Sequence, residues 1–512
     1  MRKQLLALCV GAALLLGACS GTSTSTTAGS AAVPTGVGGA DTLTLGEIAF
    51  PTSFDVNGYS ISHQVSYFTA VFDTLVREDG DGNLKPGLAT AWSYDSGKTN
   101  LTLTLRTGVK FTDGTDFNAD AVVSNYKNFK ASTTADLSNA QYISGVTATD
   151  ATHVVYALSA PDPMLTTWLA GSLGYQASPK SFTNADVKTN PVGSGPYTLD
   201  TSATVAGSKY VFKKNPNYWD TSYHVYKTLT INYYAQGTAL MNALLGKQLD
   251  ASTYSDFTTL AQVVSAGYTK DKNQLDVAGL ILFDRDGKMD SPLGNVKVRQ
   301  AINYALDKDG MVKSLFNGEG TATSSWMGAA TSGFDPSLDT YYTYDVAKAK
   351  SLLADAGYAS GFTLTMPTSS VLSQAVYTTI QQELAAIGIT VKYEDAGTNY
   401  VTNQIAGKYS SCFMFLASAN TWQFSQLALV PKATFNPFHS QSSETDALFT
   451  KIQTGSDADA AQAAKDLNKY ITQNAWFAPI LRNNNYWVSN SSVKVQMAKD
   501  NTSPYLYLIQ PA

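Results

Sequence analysis

The sequence predicts an α/β protein of two unequal lobes, and three observations carry that expectation. The chain has 512 residues, and the roughly 470 that follow its N-terminal segment exceed what one hydrophobic core usually organises. Its first half is rich in period-two alternation, whereas helical stripes appear from Asn295 onward. Apolar residues make up 44% and charged residues 15%, the balance of a folded globular body.

Taken in order, Arg2 and Lys3 precede an apolar run from Leu5 to Leu16. A bilayer core of about 30 Å is too thick for that run, which suits the middle of a signal peptide. Leu16-Gly17-Ala18-Cys19 resembles a bacterial lipobox, so residues 1–18 are expected to be removed and Cys19 to carry lipid. Residues 19–41 are dominated by Ser, Thr, Gly, Ala and Val and read as a flexible tether. Of the three cysteines, Cys9 leaves with the signal and Cys19 is lipidated, which leaves Cys412 alone as a buried thiol.

Within the body, Leu101–Leu105, His153–Leu158 and Leu229–Tyr234 alternate as half-buried strands. Val298, Ala301, Ile302, Ala305 and Leu306 form one helical stripe. Asp345 is placed to cap a helix over 346–356 that Gly357 stops. A second helix over 374–387 ends at Gly388 and leads into a strand at 389–393. A late helix spans 457–474.

The net charge of −5 is mild, and with no basic patch the chain is not expected to bind nucleic acid. It has no Gly-x-Ser-x-Gly elbow, no His-Glu-x-x-His, no Walker loop and no complete dinucleotide motif. The four histidines, His63, His153, His224 and His439, are scattered, so no dedicated metal site and no cofactor is expected. A distant carboxylate pair for glycoside cleavage stays open at this level, which keeps a secreted hydrolase as the alternative to a binding protein. A surface sensor is a third class.

A series of motifs favours the binding class over the other two. Phe72-Asp73-Thr74-Leu75, Leu84-Lys85-Pro86-Gly87-Leu88-Ala89, Leu105-Arg106-Thr107-Gly108-Val109 and Asp113-Gly114 come first. Pro191-Val192-Gly193-Ser194-Gly195-Pro196-Tyr197, Asn215-Pro216-Asn217-Tyr218-Trp219, Val298-Arg299-Gln300-Ala301-Ile302-Asn303 and Ala349-Lys350-Ser351-Leu352-Leu353 follow. In this order the chain resembles the bacterial extracellular solute-binding proteins of the oligopeptide, dipeptide and nickel type. The resemblance implies a two-lobed periplasmic-binding-protein-like fold, hinged between the lobes, that captures a small solute for an ABC importer and performs no catalysis. It implies a first lobe over 42–275, with a subdomain at about 78–195, a second lobe over 276–479 and a return to the first over 480–512. Implied partners are the solute, ABC permease subunits with cytoplasmic ATPases, and the membrane through lipid on Cys19; the protein is expected to be a monomer. Arg106, Arg299 and Asp307 read as internal pairing or capping residues.

Peptide-binding members of this family commonly pair the peptide amine with an aspartate near a tryptophan in the second lobe. The corresponding stretch here, 416–424, has no acid, and none occurs between Asp395 and Glu444. Burying an unpaired ammonium costs several kcal/mol, so this segment points to a neutral solute such as an oligosaccharide. Asn420, Thr421, Trp422 and Gln423 are the expected ligand residues, with Trp326 and Tyr400 as further aromatic candidates. His439 could hold a metal already chelated by a small molecule.

Overall fold

The computed structural model describes residues 41–512 except 60, 61, 133, 222, 224, 225, 370 and 371. The signal segment, Cys19, most of the tether and His224 lie outside the described residues. No helix among those described is long and apolar enough to cross a membrane.

Three sheets organise the body. The first runs in spatial order Tyr197–Leu199, Lys209–Lys214, Thr228–Tyr233, Thr42–Glu47, Ala251–Tyr254, Asn485–Ser489, Thr269–Asn273. Thr42–Glu47 pairs parallel with both its neighbours, and the other pairings are antiparallel. Its core collects Leu45, Phe68, Phe212, Ile231 and Trp487. The second sheet is antiparallel, in the order Thr321–Ala322, Phe477–Arg482, Asp276–Leu282, Ser411–Ala417. Helices Val296–Ala305, Val346–Asp355 and Gln374–Ala385 contribute Ile302, Leu352 and Ile380 to its core. The third is an antiparallel sheet of Ala89–Tyr94, Asn100–Leu105, His153–Leu158 and Ile143–Asp150. Val122 and Phe129 of helix Ala119–Ala131 share its core with Leu103 and Val154.

The chain passes between the first and second sheets twice. One passage follows Asn273 and the other follows Arg482. The two crossings are tied together: Asn483 N–H donates to the Asp276 carbonyl at 2.8 Å, and Gln274 Nε2 donates to Asn484 Oδ1 at 2.8 Å. The last strand of the second sheet continues to Arg482, three residues past the expected boundary at 479, because Val277 pairs with Arg482 in register.

Local signals behave as their chemistry requires. Asp345 accepts from the Lys348 N–H, and Gly357 takes a positive φ of 87° after the helix. Asp113-Gly114 forms a tight turn, with Gly114 at φ 84° and Phe111 N–H bonded to the Thr115 carbonyl at 2.9 Å. The glycine of Gly193-Ser194-Gly195 has a different reason: a Cβ on Gly193 would lie 1.9 Å from the Val71 carbonyl oxygen. That close approach is possible only without a side chain.

The motif residues build the interior. Asp73 accepts from Arg77 Nη2 (3.0 Å), Tyr218 OH (2.9 Å), Trp219 Nε1 (2.8 Å) and Ser194 Oγ (3.0 Å). Arg106 lies 4.1 Å over the Trp219 ring. Asp307 caps helix Lys308–Leu315 by accepting from Gly310 N–H. Arg299 makes no carboxylate pair among the described residues; its guanidinium instead donates to the carbonyls of Leu293, Asn474 and Ala475 at helix ends. Burial holds that guanidinium below its ordinary value, at about 10. Cys412 is a free, buried thiol, pushed well up by burial.

Candidate functional site

Asn420 begins a helical turn over Thr421–Phe424 because its Oδ1 accepts the Trp422 N–H at 2.8 Å. In such a turn, positions i and i+3 share a face. Asn420 and Gln423 accordingly face a cavity of about 350 Å³, while Thr421, Trp422 and Phe424 turn inward. Thr421 Oγ1 accepts from Gly333 N–H (2.9 Å) and pins the loop after Trp326. Asn139, Thr167 and Trp168 line the cavity from the segment carrying the third sheet. Tyr59, Glu78, Asp81, Lys499, Asp500 and Tyr505 line it from the segments beside the first.

The remaining sequence-predicted residues lie elsewhere. Trp422 is 4% exposed and Trp326 1%, both within one apolar cluster. Trp326 packs at 4.7 Å ring separation on Phe477 and stacks on Phe424 at 6.4 Å. Tyr400 is buried, and its hydroxyl donates to the Phe413 carbonyl. His439 sits in a turn at φ 58° with Nδ1 against the Pro431 carbonyl at 2.7 Å. None of these four lines the cavity. Of the expected set, the structure brings together Asn420 and Gln423, with Thr421 behind them.

Sequence reasoning missed the charge of the site. The acid absent from 416–424 is present in four other places: Glu78, Asp81, Asp136 and Asp500 all line the cavity, with Lys499 the cation among its lining residues. The neutral-solute expectation rested on one segment, and the cavity adds carboxylates from three others. No local signal marks these carboxylates. Glu78 follows the Phe72–Val76 motif by two positions, and Asp500 lies near the C-terminus; only tertiary packing joins them.

Glu78 is 5% exposed and sits at the end of strand Val76–Glu78. Its carbonyl accepts from Tyr507 OH at 2.9 Å, whereas its carboxylate Oε2 has no donor among the described residues. Asp500 lies against it, with the Tyr505 hydroxyl 3.4 Å away. Burial, and then the neighbouring Asp500, push the Glu78 carboxyl well above the ordinary carboxylate range; burial pushes Asp500 in the same direction. Asp136 is raised by burial against a hydrogen bond from Ser172. Among the described residues no group of three or more His, Cys, Asp or Glu is placed to hold a metal ion.

These shifts have a sign. A carboxyl raised in the folded state binds more protons than in the unfolded chain over the interval between the two values. The stability contributed by Glu78 and Asp500 is therefore fully present below about pH 4 and is lost as pH rises through their raised titration. Chemical unfolding of the ligand-free protein from pH 5 to 9 should show falling stability from this pair, with a shallower fall for Glu78→Gln. Equal slopes in the two proteins would show that the pair does not titrate as described.

A family model described as bacterial extracellular solute-binding proteins, family 5 Middle, matches residues 83–431. The chain belongs to this family. A glutathione-binding protein GsiB from Escherichia coli O1:K1 / APEC is 30% identical over 432 residues, covering 79% of this chain and 81% of its own. Two solved structures share the fold. The DppA periplasmic binding protein of Helicobacter pylori, in complex with the peptide STSA, superposes with a TM-score of 0.76 at 21% identity. It covers 92% of this chain and 98% of its own. HbpA2 of Haemophilus parasuis gives 0.78 at 21% identity, covering 92% and 100%. The body thus has the two-lobed fold of those binding proteins, and this family-5 member is a substrate-binding protein of the ABC-importer class. GsiB and DppA are both binding proteins.

Proposed function

We propose that this family-5 protein captures a small solute in the cavity between its lobes and presents the closed form to a membrane permease. The lobes in this reading are the segments around the first and third sheets (42–275 and the C-terminal return) and the segment around the second (276 to about 482). One observation carries the proposal: the cavity is lined by residues from all three sheet-bearing segments, so a solute filling it contacts both sides at once. Such a solute favours the closed arrangement by its differential affinity, which requires no bond-making chemistry. The paired crossings after Asn273 and Arg482 are the natural hinge. Both apolar and polar contacts join the lobes: Met164 of the first-lobe segment is buried in the apolar cluster around Trp326, and several hydrogen bonds cross beside it. Gln426 Nε2 donates to Tyr142 OH (3.2 Å), Gln453 Nε2 to the Pro161 carbonyl (2.9 Å) and Lys98 Nζ to the Gly455 carbonyl (3.0 Å). Lipid on Cys19 would hold the protein beside its permease, with the body acting as a monomer without catalytic activity.

Thermal unfolding of the full-length chain in a non-ionic detergent, against peptides, oligosaccharides and metal chelates, tests this reading. A true solute at one hundred times its Kd adds about 2.7 kcal/mol. Turnover of a compound without saturable stabilisation by any would favour the hydrolase alternative. Among the described residues, Trp168 is the tryptophan lining the cavity. The solute-induced change in tryptophan emission should therefore vanish in Trp168→Phe and persist in Trp422→Phe. The reverse pattern would move the site to the cluster around Trp422.

A further inference from the structure

Met164 belongs to the first-lobe segment by sequence and to the second by packing. It is 2% exposed, and among the described residues every other buried member of its apolar cluster lies between Val277 and Phe477. Its neighbours in the chain face the opposite way. Leu165 and Leu169 are buried in the core of the third sheet, with Leu103 and Val122. Positions 164 and 168 therefore share the face that crosses, and 165 and 169 the face that anchors. Trp168, on the crossing face, packs against both clusters. We propose that Met164 is a positioning residue for closure: an apolar knob carried by the first lobe that docks in the core of the second and holds part of the solute-free protein closed. This rests on the reading that the lobes part about the paired crossings, with the structure as the closed arrangement.

The chain around the knob holds it out from its own lobe. Pro161 and Pro163 fix the backbone φ on either side of Asp162. Asp162 is 5% exposed; its Oδ1 accepts the Met164 N–H at 2.9 Å, and its carbonyl accepts the Leu165 N–H at 3.3 Å. The Met164 carbonyl then accepts the Trp168 N–H at 2.8 Å, which closes the helical turn over Leu165–Trp168. Leu165 and Leu169 already fill the core of the third sheet. A side chain on so braced a stalk has only water to face when the lobes part.

Opening is unfavourable on both sides of this contact. It exposes the methionine, and it uncovers the apolar residues that the methionine covers. The polar ties of the same seam behave differently. Gln453 Nε2 donates to the Pro161 carbonyl (2.9 Å), and Lys98 Nζ to the Gly455 carbonyl (3.0 Å) at the end of helix Ser443–Thr454. Both exchange for water on opening with little net change. The apolar contact is thus the larger part of the bias towards closure. An unbranched thioether suits a contact that is made and broken, because it adapts to an irregular gap. Met164 also lines the cavity, so the knob is one wall of the space that a solute fills. A solute meeting protein that is already partly closed loses less of its binding free energy to closure.

The test uses the full-length chain in a non-ionic detergent, without solute. Nitroxide labels are placed on Lys127→Cys in helix Ala119–Ala131 and Lys465→Cys in helix Asp457–Gln473, both exposed positions. Cys412 is buried and takes no label, and Cys19 carries lipid in this reading. Pulsed dipolar spectroscopy gives the distribution of interlobe distances. The expected result is a populated component at the distance in the structure. In Met164→Ala the ratio of closed to open should fall about tenfold. Met164→Leu, which restores the apolar volume, should keep that ratio within about twofold. Lys98→Met combined with Gln453→Ala should shift it less than Met164→Ala does. A residue that only touched the solute would leave the solute-free distribution unmoved. Should Met164→Ala fail to fold, Met164→Gln, similar in length but polar, gives the same comparison.

A solute-free protein with no component at the structural distance overturns the knob but leaves lobe closure standing. So does a distribution with two components that Met164→Ala does not change. One component at the structural distance that none of these variants moves overturns both, because the lobes then do not part.

Discussion

Asp73→Ala is expected to destabilise the body by about 3–5 kcal/mol, the cost of removing one partner from a buried charged network. Asp73 is 4% exposed and accepts from four side chains that arrive from three separate segments of the chain. Without its carboxylate, Trp219 Nε1 and Ser194 Oγ lose their acceptor, the serine hydroxyl in fully buried surroundings. Arg77 keeps Asp220 at 2.7 Å, and this remaining pair is why the loss does not exceed that range. Asp73→Asn should cost less, since the amide oxygen still accepts while its NH2 faces Arg77. Urea unfolding at pH 7 checks both. A loss below about 1 kcal/mol for Asp73→Ala would mean that the network is plastic and contributes little beyond a surface pair.

Trp326→Ala is expected to cost about 3–5 kcal/mol, with solute affinity of the folded fraction unchanged. The ring is fully buried between Phe424 and Phe477, and the closely packed surroundings cannot collapse into the space it leaves. Its indole Nε1 has no partner among the described residues, so truncation strands no acceptor, and the cost is one of packing alone. Unfolding and solute titration on the same preparation separate the two roles. Normal stability with lost binding would place Trp326 in the site after all.

These two residues also mark how far the sequence could be read. Asp73 stood out as part of an ordered motif, although nothing in its neighbours says that its partners are Trp219 and Ser194. Trp326 and Trp422 read as ligand walls from the sequence, because aromatic rings with polar neighbours suit both a binding face and a core. The distinction depends on which side of a turn faces the cavity. At 420–424 the helical spacing sends Asn420 and Gln423 one way and Trp422 the other. The four residues are equally visible in the chain, but the direction of that face is set by Ser332 and Gly333, nearly ninety positions away, which hold Thr421.

The sequence by itself determined the local elements and the family. Asp345 and Gly357 bound their helix, Asp113-Gly114 make their turn, and His153–Leu158 form the strand that their alternation implies. Such signals act over a few residues, through capping bonds, φ preference and side-chain period, so they are written where they act. The tertiary structure alone decided the charge of the cavity. Glu78 closes an early strand and Asp500 sits in the returning C-terminal segment, and each looks like an ordinary exposed acid in its own neighbourhood. Their meeting follows from strand Asn485–Ser489 joining the first sheet between Ala251–Tyr254 and Thr269–Asn273, which returns the C-terminal segment to the first lobe's side. Electrostatic character depends on distance through space and on burial, and neither quantity is a property of any short stretch of chain.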